Sequence, residues 1–206
     1  MAGPDIAFWE EKFARDQTPW DRGQPSPKLR DWLAAGELSP LLGNGQIGVP
    51  GCGSGHEVEL LAAQGHSVIA LDYAPTAVAL TRARLAAQGL HAEVIQADVL
   101  AWQAPQPLAA IYEQTCLCAL HPDHWQAYAK QLHSWLRPGG RLFALFMQWQ
   151  REGAARGLIE GPPYHCDINA MRALFPADRW SWPKPPYERV PHPMGAGELA
   201  LVLIRL

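Results

Sequence analysis

The chain has 206 residues, of which 48% are hydrophobic, and its formal net charge is −3. This length suits one domain with a full hydrophobic core, so we expect residues 1–206 to form a single domain. The charge balance gives no general attraction to nucleic acids or acidic membranes, and no apolar run is long enough to cross a bilayer.

The N-terminal sequence lacks the basic start and apolar core of a signal peptide, which predicts a cytoplasmic protein. The four cysteines are Cys52, Cys116, Cys118 and Cys166, and they form no C-x-x-C pair. We therefore expect reduced, packed thiols and no metal site, with Cys116 and Cys118 on a buried strand. The expected partner is a small molecule rather than a nucleic acid or a membrane. We expect a monomer, with a dimer as the open alternative.

Predicted helices and strands alternate along the chain. The first helix is expected at residues 4–14, and the Pro- and Gly-rich loop QTPWDRGQPSP joins it to a second at residues 28–35. The later helices are predicted at 56–64, 75–88, 122–136 and 167–175. The strands are predicted at 46–50, 67–71, 91–96, 108–114 and 141–147, with edge strands near 187–190 and 199–205. This alternation predicts an α/β fold with a mostly parallel, seven-stranded sheet and helices on both faces.

Two local patterns support these helices. Trp125, Tyr128, Leu132 and Trp135 recur at helical spacing, which predicts a stripe that faces the core. Asp167 stands where an N-cap residue would begin the last helix.

Polar residues follow four successive predicted strands. The carboxyl ends of parallel strands meet at one edge of a sheet, where α/β proteins bind ligands, so we expect a site there. The residues concerned are Gly51 to Gly55, then Asp72 and Tyr73, then Asp98 and Val99, and finally Glu113, Gln114 and Thr115.

The segment VPGCGSGHEVELLAAQGHSVIALD joins a buried strand, a glycine loop, a helix and a second strand that ends in Asp72. Glycines 51, 53 and 55 let the backbone approach a ligand where a Cβ would clash, and Asp72 is placed to bind two ribose hydroxyls. A dinucleotide fingerprint is G-x-G-x-x-G, but here the third glycine comes one residue early. The G-x-G-x-G form is similar to that of class I methyltransferases, which bind S-adenosylmethionine.

The chain as a whole resembles the thiopurine methyltransferase superfamily, and most of all its plant and bacterial thiol/halide methyltransferase branch. The resemblance covers most of residues 8–166 and is carried by FWEEKF, TPWDRGQPSP, VPGCGSGHEVELLAAQGHSVIALDYAPTAV, YEQTCLCALHP, LRPGG and GPPY. It implies a class I (Rossmann-like) fold, S-adenosylmethionine as cofactor, and a helical lid formed by residues 1–35.

The resemblance also implies roles for single residues. Trp9, Phe13 and Trp20 would close over the cofactor, Gly51 would contact it through its backbone, and Asp72 would bind the ribose. Asp98 and Val99 would lie beside the adenine, and Gln114 at the methionine end or the acceptor. Their neighbours Cys52, Gly53, Tyr73 and Glu113 complete the expected cofactor set, and the expected acceptor-pocket residues are Asp21, Thr115, Trp149, Tyr164 and His165.

One position departs from the family pattern. The thiopurine enzymes carry Asp-Arg and the plant relatives Asp-Tyr where this chain has Glu113-Gln114. The missing cation or phenol removes a means of binding an anionic or aromatic acceptor, so the acceptor is expected to differ from theirs.

The expected reaction is in-line methyl transfer to the sulfur of a small thiol or sulfide, or to a halide-like anion. The alternatives are an O-methyltransferase for a phenolic or acidic metabolite and a binding module that retains S-adenosylmethionine without turnover. The early third glycine disfavours a nicotinamide oxidoreductase. His121, His165 and Asp21 are the candidate bases, but each also suits a cap or a loop, so no catalytic residue is assigned.

Overall fold

The computed structural model describes residues 3–41, 43 and 45–206, and within these residues the sheet has eight strands. They are β1 (Ile47–Pro50), β2 (Val68–Asp72), β3 (Glu93–Gln96), β4 (Leu108–Gln114), β5 (Leu136–Gln148), β6 (Trp180–Ser181), β7 (Glu188–Pro191) and β8 (Gly197–Arg205). Strands β3, β2, β1, β4 and β5 lie side by side and are parallel. Strand β8 pairs antiparallel with β5, and both β6 and β7 pair antiparallel with β8.

Seven α-helices are found in the described part of the chain: α1 (Ile6–Ala14), α2 (Pro27–Ala34), α3 (His56–Ala63), α4 (Pro75–Ala87), α5 (Cys116–Ala119), α6 (Trp125–Trp135) and α7 (Ile168–Leu174). The carboxylate of Asp167 accepts the amide hydrogens of Asn169 and Ala170, which confirms it as the N-cap of α7. No helix among the described residues is long and apolar enough to span a membrane.

Two hydrophobic clusters cover the two faces of the sheet, as predicted. On one face Tyr128, Leu132 and Trp135 of α6 are each 1% exposed or less, so the predicted stripe does face the core. On the other face the cluster includes Trp32 of α2 and Leu61 of α3. Burial of one such large side chain contributes about 1.5–3 kcal/mol, which makes these layers the main source of stability.

Three details differ from the sequence prediction. The seven predicted strands become eight because the two-residue strand β6 joins the edge of the sheet. Cys116 and Cys118 lie on the short helix α5 rather than on a strand, although both are buried as expected. Strand β5 begins at Leu136 instead of residue 141, and its pairing with β4 shifts register across the RPGG segment.

Strands β1 and β4 are neighbours in the sheet. After β1 the chain continues to β2 on one side of this pair, whereas after β4 it continues to β5 on the other side. Such a reversal opens a crevice at the carboxyl ends of the two central strands, because their loops diverge. The glycine loop follows β1 and Gln114 ends β4, so both predicted site segments lie at this crevice.

Candidate functional site

A cavity of about 500 Å³ lies at the carboxyl ends of the parallel strands, beneath α1. Most of the predicted site residues line it, from the N-terminal aromatics to the end of β4. They are Trp9, Phe13, Trp20, Asp21, Gly51, Cys52, Gly53, Asp72, Tyr73, Asp98, Val99, Gln114 and Thr115.

The glycine loop has three residues in the left-handed region, with φ of +63° at Gly51, +53° at Gly53 and +79° at Gly55. A Cβ on Gly51 would stand 3.0 Å from the Cβ of Cys116, and one on Gly55 would stand 2.6 Å from Oγ1 of Thr81. The third glycine is therefore early because α4 packs directly against the loop at Thr81. The hydroxyl of Thr81 also donates to the carbonyl oxygen of Gly53 at 2.8 Å, which fixes the loop.

Asp72 ends β2 beside this loop and is only 6% exposed. Its Oδ2 accepts the amide hydrogen of Gly53 at 2.8 Å, and its Oδ1 accepts that of Ala74 at 2.9 Å. Burial raises the pKa of this carboxyl, while its backbone hydrogen bonds oppose that shift. A carboxylate offers about four acceptor positions, more than the hydrogen bonds to Gly53 and Ala74 occupy.

Three aromatic rings close the cavity from the N-terminal side. The ring of Trp20 meets those of Trp9 and Phe13 edge-on, with centroids 5.5 and 6.0 Å apart. The cluster packs against Ala74 and Ala77 at the start of α4.

Helix α1 is also tied to α4 by a polar contact. A carboxylate oxygen of Glu10 accepts the amide hydrogen of Thr76 at 2.9 Å, in the first turn of α4. An acid is favourable there because the first amide hydrogens of a helix have no partner within it. The N-terminal segment is thus held over the cavity by both apolar and polar contacts.

Asp21 joins the loop between α1 and α2 to the first residue of α3. Its Oδ1 lies 3.0 Å from Nε2 of His56 and also accepts the amide hydrogen of Gly23 at 2.7 Å. The hydrogen bond to His56, more than any other contact, holds the pKa of Asp21 well below its ordinary value. An acid in this state is a weak proton acceptor, so Asp21 is a poor candidate for a base.

The opposite end of the cavity contains a chain of polar side chains. The Tyr112 hydroxyl donates to Oε1 of Gln114 at 2.6 Å, and Nε2 of Gln114 donates to Glu198 at 2.9 Å. Nη2 of Arg22 lies 3.4 Å from the same carboxylate and donates to the carbonyl oxygen of Pro191 at 2.6 Å. Glu198 is fully buried, and burial raises its pKa to about 8, although Arg22 and Gln114 act in the opposite direction.

Thr115 follows Gln114 with φ of +65° and begins helix α5. A β-branched residue rarely adopts this conformation, which costs on the order of 1–3 kcal/mol and persists only where the surroundings enforce it. The turn at Thr115 redirects the chain at the cavity wall, between Gln114 and the buried helix α5.

Four predicted site residues do not line the cavity. Glu113 points away from it because side chains alternate along β4, and its Oε1 accepts the amide hydrogen of Leu117 at 2.7 Å. Trp149 lies 3.9 Å from the guanidinium of Arg151, and Tyr164 packs its ring against His121. His165 has a buried Nδ1 without a partner, and Pro162 and Pro163 line the cavity from that loop instead.

The structure also brings together residues that the sequence did not single out. Glu10, Thr81, Arg22, His192 and Glu198 make or surround the contacts described above. Only Glu198 carries a clear signal, because it is an acid within the apolar strand GELALVLIRL.

The model of the family described as Thiopurine S-methyltransferase (TPMT) matches residues 4–182. The chain belongs to the thiopurine S-methyltransferase family. It is 28% identical over 170 residues to a probable thiol methyltransferase 2 of Arabidopsis thaliana, covering 81% of this chain and 70% of that protein. It is 26% identical over 176 residues to a thiopurine S-methyltransferase of Pseudomonas putida (strain GB-1), covering 77% of this chain and 76% of that protein.

Solved structures share the fold. A 1,6-didemethyltoxoflavin-N1-methyltransferase of Burkholderia thailandensis, solved with S-adenosylhomocysteine, matches with a TM-score of 0.71 at 20% identity. The match covers 97% of this chain and 86% of that one. The predicted class I methyltransferase fold and family are confirmed. The protein is an S-adenosylmethionine-dependent methyltransferase, as predicted.

The cavity fits this cofactor. The glycine loop lets a ligand approach its backbone, because these residues carry no Cβ. Asp72 keeps acceptor positions that the amides of Gly53 and Ala74 do not occupy. The cluster of Trp9, Phe13 and Trp20 offers aromatic rings, whose faces attract a positively charged sulfonium group.

Proposed function

We propose that this protein transfers the methyl group of S-adenosylmethionine to the sulfur of a small thiol or sulfide, with halide-like anions as further acceptors. The observation that carries the proposal is a largely apolar cavity whose lining acids Asp21 and Asp72 already accept hydrogen bonds from the protein. The names of the similar thiol and thiopurine methyltransferases support the same class of acceptor.

We assign the cofactor to the glycine-loop half of the cavity. Asp72 would bind the ribose and the backbone of Gly51 and Gly53 would approach the ligand, while Asp98 and Val99 would flank the adenine. The remaining proposed contacts are Trp9, Phe13, Trp20, Cys52, Tyr73 and Gln114, and the proposed acceptor pocket includes Asp21 and Thr115. Glu113, Trp149, Tyr164 and His165 are not included because they lie outside the cavity.

When bound, S-adenosylmethionine supplies an electrophilic methyl group on a positively charged sulfur. The protein's task is then to hold the acceptor in line, exclude water and accommodate positive charge. The faces of Trp9, Phe13 and Trp20 suit that charge, with each cation–π contact contributing about 0.5–2 kcal/mol. Glu10 and Asp21 hold the segment that carries these rings in place.

The groups at the Gln114 end favour an acceptor that ionises without help. Burial raises the pKa of Tyr112 well above its ordinary value, and its hydroxyl already donates to Gln114. Burial, assisted by the charge of Arg22, lowers the pKa of His192 to about 4, which makes its imidazole a weak base. A thiol with a pKa near 8.5 is partly ionised at neutral pH, whereas a phenol or alcohol needs a base.

The test is the pH dependence of methylation for a series of thiols of similar size and different pKa. We expect each rate to rise with pH until that thiol is ionised, so that the midpoint follows the thiol. A midpoint that stays fixed across the series would indicate a base on the enzyme, and faster methylation of a matched phenol would favour the O-methyltransferase alternative. Thiocyanate and iodide test the halide-like acceptors in the same assay.

We further propose that the chain acts as a monomeric, single-domain cytoplasmic enzyme whose residues 1–35 form the lid. The four cysteines support a reducing compartment, since all are buried free thiols. Light scattering of the purified protein tests the oligomeric state.

A further inference from the structure

Arg22 is the one cation at the Gln114 end of the cavity among the described residues that line it. The other lysine or arginine on the lining is Lys12, which lies on α1 and contacts Phe8 and Gln17. His192 also lines this end, but its lowered pKa leaves the imidazole neutral at pH 7.

Arg22 is fixed by the last part of the chain. Its Nη2 donates to the carbonyl oxygen of Pro191 and pairs with Glu198, contacts that join residues 169 and 176 positions apart. Gln114 donates to the same carboxylate, so Glu198 orients both side chains. Strands β7 and β8, which carry these partners, lie beyond residue 182, where the family match ends.

The guanidinium keeps donors that the protein does not use. Arginine has five N–H groups, and the two contacts above occupy Nη2. The Nε and Nη1 groups have no hydrogen-bond partner within the described chain, and neither of these two nitrogens is fully buried. These N–H groups therefore remain accessible, on a residue that lines the cavity and whose side chain is only 16% exposed.

We infer, on the basis of the proposed function, that Arg22 binds a negatively charged group of the acceptor and that Glu198 positions Arg22 for this contact. A guanidinium with unused N–H groups in a sheltered site is well suited to a carboxylate. The acceptor is thus a small thiol that carries a carboxylate. Arg22 takes over the anion-binding task that the uncharged Gln114 does not perform.

The experiment compares 3-mercaptopropionate with its uncharged amide, 3-mercaptopropanamide, at equal thiolate concentration. In the full-length enzyme we expect a KM for the carboxylate about tenfold lower than for the amide. Arg22→Gln should remove that preference and Arg22→Lys should restore part of it, measured as the ratio of the two KM values within each variant. Arg15→Gln is the matched control, because Arg15 is an exposed arginine of the same N-terminal segment and pairs only with Glu11.

Glu198→Gln tests the positioning role. It keeps an amide oxygen as a partner for Gln114 but replaces the carboxyl group that pairs with Arg22, so the ratio of the two KM values should fall by about threefold. An equal loss on both thiols would assign Glu198 to the fold alone and contradict its positioning role.

Calorimetric binding gives a readout that does not need turnover. With S-adenosylhomocysteine present, the wild-type protein should bind 3-(methylthio)propionate more tightly than its amide, and Arg22→Gln should abolish the difference. Absence of that preference in the wild type overturns the inference, whereas the preference without methylation of either thiol would overturn only the proposed function. A loss of S-adenosylhomocysteine affinity in Arg22→Gln, with the carboxylate preference intact, would assign Arg22 to the cofactor instead. If Arg22→Gln does not fold, Arg22→Lys gives the same comparison with a smaller expected change.

Discussion

The glycine-loop half of the cavity is held by backbone atoms from a short stretch of chain, whereas the Gln114 half is held by side chains from distant segments. Asp72 bonds to amides of Gly53 and Ala74, 19 and two residues away. Gln114, Glu198 and Arg22 meet across sequence separations of 84 and 176 residues. In the glycine-loop half few substitutions are tolerated, because the backbone conformation itself forms the site. In the Gln114 half a side chain can be exchanged without a change in the backbone of the glycine loop. The predictions below test this contrast, beginning with the largest expected effect.

The proposed lid lines both halves of the cavity, so its removal should have the largest effect. Deletion of residues 1–20 should abolish turnover, because the cavity loses Trp9, Phe13 and Trp20 together. The core should still unfold cooperatively, since its two main clusters draw no residue from this segment. Hydrogen exchange of the intact chain is the companion measurement: exchange in α1 that is unchanged by cofactor would argue against a lid that orders on binding.

Gly55→Ala should destabilise the fold by about 3 kcal/mol, because the new Cβ meets Thr81 and the residue keeps a left-handed conformation. Gly89→Ala is the matched control, with φ of +63° but no atom within 4 Å of the added Cβ, and should cost only about 1 kcal/mol. Urea denaturation measures both. Equal losses would mean that the packing of α4 on the loop is not what requires the third glycine.

Asp72→Ala should weaken the binding of S-adenosylhomocysteine by about 2–3 kcal/mol, because a charge-assisted hydrogen bond to the ribose is lost. Asp72→Asn separates this loss from damage to the loop, since its amide oxygen can still accept one of the two backbone bonds. Titration calorimetry decides the point, and an unchanged dissociation constant in both variants would remove Asp72 from the cofactor site.

The smallest effect on the site is expected at Glu113, whose pKa burial raises to about 7. A carboxyl with a raised folded-state pKa stabilises the fold most below its unfolded pKa and loses that contribution as pH rises through the folded value. The wild-type protein should therefore lose about 2–3 kcal/mol between pH 4.5 and 7 from this group. Glu113→Gln should flatten the dependence in denaturation at several pH values, while the cavity and S-adenosylhomocysteine binding stay unchanged. An unaltered slope would show that Glu113 is not the titrating group.

The sequence predicted the backbone-built half of the site well, because its determinants are local. Strand–glycine–helix order, a proline at the first turn of α4 and an acid at the end of β2 each follow from short-range rules. The Gln114 half was predicted only in part, since nothing local in TPWDRG indicates that Arg22 meets a glutamate of the last strand. Glu113 was placed in the site because it stands beside Gln114, but alternation along β4 directs its side chain into the core. Trp149, Tyr164 and His165 were expected to line the cavity, but they do not. They lie on an irregular loop, and its backbone path, which the sequence does not reveal, determines which side chains face the cavity.

Strand β8 fills two roles at once: its apolar residues pair with β5 near one edge of the sheet, and its first charged residue, Glu198, bonds to Gln114. Exchange of the last 24 residues between related enzymes, with the apolar alternation of β8 retained, would therefore transplant acceptor preference while leaving the glycine loop untouched. In protein engineering this tail would be an exchangeable segment, and substitutions at position 198 would change acceptor preference through the side chains that Glu198 holds, Arg22 and Gln114.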